Sequence, residues 1–156
     1  MQEVKDCYQT KVMFRNANNK DLPKIIELLY DDELGETREE KATELRSSYQ
    51  NSFQAIQNDP NNELVVACIA DEIVGCFQIT YIPNLTYKGG WRAQIEGVRI
   101  KKSFRSQGIG TRMINHAIEL AKDRECVIVQ LTTNKQRPQA LNFYVKAGFM
   151  STHNGL

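Results

Sequence analysis

With 156 residues, a charged fraction of 25%, a hydrophobic fraction of 41% and a formal net charge of +1, the chain fits one domain with an ordinary buried core. A near-neutral balance gives no support for a general nucleic-acid or anionic-membrane surface, and no apolar run approaches the length that spans a bilayer. Residues 1–10 mix charges of both signs without the apolar stretch of a secretory signal, so the expectation is a cytoplasmic protein, with 1–10 as a flexible tail and 11–156 as the domain.

In chain order, residues 12–17 read as a strand. Asp21 then stands as a helix cap before Leu22, Ile25, Ile26 and Leu29 at helical spacing, and this helix is expected to end near Asp32. Beyond a loop around Gly35, a second stripe of Ala42, Leu45, Tyr49, Phe53 and Ile56 runs until Asp59 and Pro60 stop it. Residues 63–70 and 73–81 form a hairpin about Asp71 and Glu72. A loop with Pro83, Gly89 and Gly90 leads to another strand at 92–100, and a basic loop then feeds a helix whose stripe is Ile109, Met113, Ile114, Ala117, Ile118 and Ala121. Residues 126–132 make a short apolar strand of the kind buried on both faces. Pro138 opens a last helix and Gly148 closes it. The order β-α-α-β-β-β-α-β-α, with a short last strand, predicts a mixed α/β sheet with helices on both faces. Cys7, Cys68, Cys76 and Cys126 include no C-x-x-C pair, so they read as free thiols, and no metal is expected.

Charge distribution says more than its sum. No acid lies between Glu96 and Glu119, whereas Arg99, Lys101, Lys102, Arg105 and Arg112 all do. Within that stretch Arg105, Gly108 and Gly110 precede a helix, where unpaired amides and the positive end of the dipole stabilise an anion. The spacing is neither G-x-G-x-x-G nor G-x-x-x-x-G-K-[ST]. The same glycines also serve as a plain tight turn into a helix.

The segment resembles the Q/R-x-x-G-x-G/A motif of the GCN5-related N-acetyltransferases (GNAT), with Arg105, Gly108 and Gly110 in its three defined positions. Gln94, Glu96, Val98 and Ile100 before it resemble that family's fourth strand. Asn134, Pro138, Ala140, Asn142, Tyr144, Gly148 and Phe149 after it resemble its second cofactor segment. The resemblance implies a mostly antiparallel central sheet splayed between the fourth and fifth strands, and transfer of acetyl from acetyl-CoA to a small-molecule or peptide amine. It implies that Arg105 and the amides of Gln107, Gly108, Ile109, Gly110 and Thr111 serve the coenzyme A pyrophosphate. Val98 and Ile100 would pair with the pantetheine arm, the Val98 amide would face the developing oxyanion, and Asn134 and Asn142 would contact the arm. Glu96 resembles the general base, acting directly or through water, and Tyr144 the general acid. Outside the resemblance, Glu96 also reads as an exposed strand glutamate and Tyr144 as a packing aromatic.

The acidic residues 31–44, beside Tyr81, Tyr87 and Trp91, suggest a cationic acceptor, or merely a solvated helix start. His116 reads as a surface residue and Cys126 as a packed thiol. Only Met150 to Leu156 follow Phe149, so the last strand is expected to be clipped or completed by a second copy in a homodimer. A non-catalytic acyl-CoA sensor and a structural module are the other readings.

Overall fold

β1 (Val12–Asn16) begins a computed structural model that describes residues 11–31 and 47–155. It pairs antiparallel with β2 (Asn62–Ile69), which pairs antiparallel with β3 (Glu72–Ile82) and that in turn with β4 (Arg92–Ile100). β5 (Ile128–Leu131) lies parallel to β4, giving one five-stranded sheet in the order β1-β2-β3-β4-β5. A parallel neighbour cannot be reached by a tight turn. The connection is α4 (Ile109–Asp123), which crosses one face of the sheet.

Binary patterning explains both layers. Val65, Ala67, Phe77, Ile79, Ala93 and Ile95 point to one face and bury Ile109, Met113, Ala117 and Ala121 of α4. Their strand neighbours Val66, Cys68 and Cys76 point the other way, onto α1 (Leu22–Tyr30), and Phe53 of α2 (Ser47–Asn58) closes over Leu22 and Ile26. Burying each of the larger aliphatic and phenyl side chains among these stabilises the fold by about 1.5–3 kcal/mol.

Several expectations change in detail. Asp21 precedes α1 but does not cap it with its side chain. It completes a capping box with Asn18 over a one-turn 3-10 segment, Asn19–Asp21, and takes a bidentate ion pair from Arg15 at 2.6 and 3.0 Å. Leu28 is buried as well, and α1 ends at Tyr30 with Asp31 at its C-cap. The hairpin turns at Ala70 and Asp71, one residue earlier than expected, with Ala70 left-handed at φ 51°. β5 is only half-buried, because it is the edge of the described sheet rather than an inner strand. Residues 149–155 form no strand, their side chains from Met150 onward being exposed without an apolar alternation. His116 is half-buried rather than free on the surface: its ring stacks on Phe14 of β1 at 4.5 Å and edges Phe77. Cys7, Gly35, Ala42 and Leu45 lie outside the described residues, as do residues 1–10 and the acids after Asp31 up to Glu44.

A short turn with left-handed Tyr87 and Lys88, α3 (Thr86–Gly89), links β3 to β4. α5 (Pro138–Lys146) follows β5.

Two irregularities in β4 shape what lies beside it. Cys76 pairs with Arg99 and Gln78 with Glu96, so Gly97 and Val98 together oppose Phe77 alone, a β-bulge. Gly97 supplies the required backbone at φ 59°. Pairing with β5 runs from Arg92↔Ile128 to Ile95↔Leu131, where β5 ends, so residues 96–100 have no described strand partner on that side.

Candidate active site

The loop after β4 turns into α4 through two left-handed residues, Ser106 at φ 61° and Gly108 at φ 78°. Gly108 is the N-cap, and the first helical bond is Arg112 N–H to the Gly108 carbonyl at 3.2 Å. The amides of Ile109, Gly110 and Thr111 therefore have no acceptor within the helix, and they carry the positive end of its dipole. Ile109 buries its side chain, so only its backbone is on offer, whereas Thr111 is exposed.

The two glycines have different physical reasons. A Cβ on Gly108 would meet nothing within 4 Å, so that position needs glycine for its φ and leaves open space above the amides. A Cβ on Gly110 would lie 3.1 Å from Ile100 Cδ1 and 3.2 Å from Phe143 Cζ. That glycine lets α4 close against β4 and α5.

Neighbouring side chains brace the loop. Arg105 donates from Nε to the Ile100 carbonyl at 3.0 Å and from its guanidinium to the Asp31 carbonyl at 3.3 Å. Gln107 Nε2 donates to the Ser103 carbonyl at 3.0 Å. The basic run is less bare than its sequence suggests, because Lys101 pairs with Glu72 and Lys102 with Asp31 at 2.8 Å.

Tyr144 is positioned by the end of α5. Gly148 takes φ 98°, Phe149 N–H bonds the Tyr144 carbonyl and Gly148 N–H the Val145 carbonyl, both at 3.0 Å. This is a Schellman ending, whose customary apolar contact is here the Phe149 ring against the Tyr144 ring at 6.0 Å. On its other side Tyr144 edges Phe143 at 5.1 Å, the residue that touches Gly110. Burial pushes the phenol above its ordinary value, and the positive charges of Arg99 and Arg137 oppose that shift. The hydroxyl stays protonated at neutral pH.

Val98 and Ile100 are half-buried against the α4-side core, and Ile100 reaches Gly110. Glu96 is the first residue of β4 beyond its last β5 partner; it alternates with buried Ile95, so it lies on the α1 side, exposed and opposite Gln78. That side carries a row of amides and hydroxyls: Gln78 Nε2 and Thr80 Oγ1 both donate to Asn62 Oδ1, at 2.9 and 2.7 Å, and Gln130 Nε2 donates to Gln94 Oε1 at 2.7 Å. Glycine loop, β4 end and Tyr144 thus gather at one end of the sheet, with Glu96 across the strand from them.

The asparagines are not drawn in equally. Asn134 accepts from Gln136 N–H at 2.8 Å and its carbonyl from Arg137 N–H, a turn that starts α5. Asn142 is exposed on α5. Tyr81 belongs to the α4-side core. It is 1% exposed, donates to Glu63 at 2.8 Å and lies under the Arg124 guanidinium. Tyr87 and Trp91 are exposed. Burial raises the Cys126 thiol pKa, which disfavours a nucleophilic thiolate. That Arg99 and Arg137 stand near Tyr144 is not legible in the sequence, because it depends on how α5 folds back. No group of three or more histidines, cysteines and carboxylates among the described residues could hold a metal ion, and no described helix is long and apolar enough to cross a membrane.

Residues 23–149 match the sequence profile described as the acetyltransferase (GNAT) family. Aminoalkylphosphonate N-acetyltransferase of Salmonella typhimurium is 26% identical over 106 residues, 68% of each chain. Among solved structures, one from Bacillus halodurans described as a transcriptional regulator is 50% identical with a TM-score of 0.91, covering 94% of this chain and 97% of that one. Another from Agrobacterium tumefaciens, described as an acetyltransferase, is 27% identical with a TM-score of 0.81, covering 92% and 96%.

Proposed function

Because the chain belongs to the acetyltransferase (GNAT) family, we propose that it transfers an acetyl group from acetyl-CoA directly to a primary amine, as a single cytoplasmic domain. The observation that carries this reading is the end of β4 after Ile95, left without a β5 partner, next to a helix whose first three amides have no acceptor within the helix. A diphosphate fits there, since the amides of residues 107–111 donate and no side chain at Gly108 blocks approach.

When bound, acetyl-CoA supplies an acetyl thioester. Val98 and Ile100 offer main-chain groups to the extended arm where β5 no longer does, and the Val98 amide donates to the acetyl oxygen. Asn142 and the free NH2 group of Asn134 flank the arm. Arg105 holds the loop to β4 through the Ile100 carbonyl. An ammonium has no lone pair, so Glu96 takes the proton of the incoming amine, directly or through water. As the nitrogen–carbon bond forms and the carbon–sulfur bond breaks, Tyr144 gives its proton to sulfur, and the second proton that the nitrogen sheds on becoming an amide passes through solvent to restore the phenol.

Free-thiol release across an amine panel, with calorimetry of acetyl-CoA binding, tests the proposal. Replacing Glu96 with Gln and Tyr144 with Phe is expected to lower kcat about 10²–10³-fold each while leaving acetyl-CoA affinity within about threefold. A second reading, a non-catalytic acyl-CoA sensor, draws on the Bacillus halodurans neighbour described as a transcriptional regulator. Acetyl-CoA binding by wild type without turnover of any amine would favour it.

A further inference from the structure

A cavity of about 190 Å³ lies between α1, α2 and the bulged stretch of β4. Ile25, Leu29, Tyr49 and Phe53 form its walls, and Gln78 and Gly97 border it on the sheet side. We propose that this cavity receives the apolar body of the amine acceptor, so that the substrate class is a primary alkyl or arylalkyl amine rather than a polycation. The inference rests on the acetyl-transfer reading above.

Charge, position and size carry it. None of the described residues that line the cavity is charged, so a second ammonium placed against them would lose its hydration without a counter-ion. Asp31, the one described acid of the run that suggested a cationic acceptor, is paired with Lys102 and does not line the cavity.

Position links the cavity to the chemistry. Gly97 lies between Glu96 and Val98 in the chain, and Gln78 is the cross-strand partner of Glu96. Gln78 Nε2 is committed to Asn62, which leaves its carbonyl oxygen to accept from an amine N–H. An amine with its body in the cavity therefore presents its nitrogen at Glu96.

Size bounds the body. An apolar cavity of about 150 Å³ takes benzene, so this one holds a group of about six to eight carbons.

Primary alkylamines of increasing length have nearly constant basicity, so their rates isolate burial. The value of kcat/KM is expected to rise about fourfold per methylene, about two orders of magnitude from ethylamine to hexylamine, and to level off by dodecylamine. Spermidine should fall below hexylamine. Ser52 is an exposed residue of α2 at the cavity, and Ser52→Trp, with its melting temperature checked, should lower hexylamine turnover at least tenfold. Separately, hexylamine added to the protein without acetyl-CoA should shift the amide resonances of Leu29 and Gly97. A flat chain-length series, or spermidine preferred over hexylamine, overturns the inference and leaves acetyl transfer standing. Resonance shifts without turnover of any amine leave the cavity's ligand class standing and remove the transfer reading. Absence of shifts overturns the inference whatever the rates.

Discussion

Gly108 and Gly110 stand two residues apart in one motif and answer to different constraints. Gly108 holds φ 78° with free space where a Cβ would go, so Ala is strained there by its backbone alone. Gly110 has ordinary helical geometry and no room, with Ile100 and Phe143 within 3.4 Å. Gly108→Ala is therefore expected to cost about 1 kcal/mol of stability and to weaken acetyl-CoA about tenfold as the amides rotate. Gly110→Val should destabilise more, by about 1–3 kcal/mol, through overpacking. Thermal melts beside calorimetry separate the two, and equal losses of stability would contradict the distinction. The motif spacing announces both glycines, but it cannot say which one is conformational, because that depends on what packs over α4.

At the scale of an element, the ending of α5 determines where the phenol of Tyr144 stands. Phe149 is bonded back through its amide to the Tyr144 carbonyl, and its ring lies against the Tyr144 ring. Phe149→Ala keeps the helix ending at Gly148 and removes the ring contact. Expected is a loss of about 2–4 kcal/mol for the part-buried ring, together with a fall in kcat larger than any rise in KM for acetyl-CoA, because Tyr144 loses its orientation. An unchanged kcat at a temperature where the variant is folded would remove this positioning role. Pro138 and Gly148 bracket α5 in the sequence, so the helix was legible there. Its half-exposed placement at the edge was not, since residues 138–149 carry the same apolar spacing whichever strand they lie beside.

Over the whole molecule, two groups that tie separate elements together make stability fall in acid. The ion pair with Arg15 holds the Asp21 carboxyl below its ordinary value of 3.8, helped by the Asn18 amide and opposed by burial. Its contribution is present above about pH 3.8 and is lost as the pH falls through that lowered value. His116, packed between β1 and β3, has its pKa depressed from 6.5 by burial, with Glu63 and Asp123 opposing. A depressed histidine stabilises in the neutral form, so its contribution is present above about pH 6.5 and disappears as the pH drops below it. Melting temperature should decline from pH 6.5 downward in wild type and decline less in His116→Phe, which keeps the stacked ring. Asp21→Asn should cost about 1–3 kcal/mol at pH 7 and flatten the curve nearer pH 4.

Local chemistry along the chain was enough for the alternation of strand and helix, the entry of α4 through Arg105, Gly108 and Gly110, and the family to which residues 23–149 belong. Those features depend on periodicity, backbone freedom and short spacings, all of which are read over a few residues. Tertiary structure alone decided that Asp21 answers Arg15 rather than capping α1, that His116 is stacked on Phe14, and that Lys101 and Lys102 are neutralised by Glu72 and Asp31. It also decided that a cavity whose described lining is uncharged borders Gly97. Each of these depends on groups distant in the chain meeting across the sheet, and one strand's pattern carries no record of its neighbour's register.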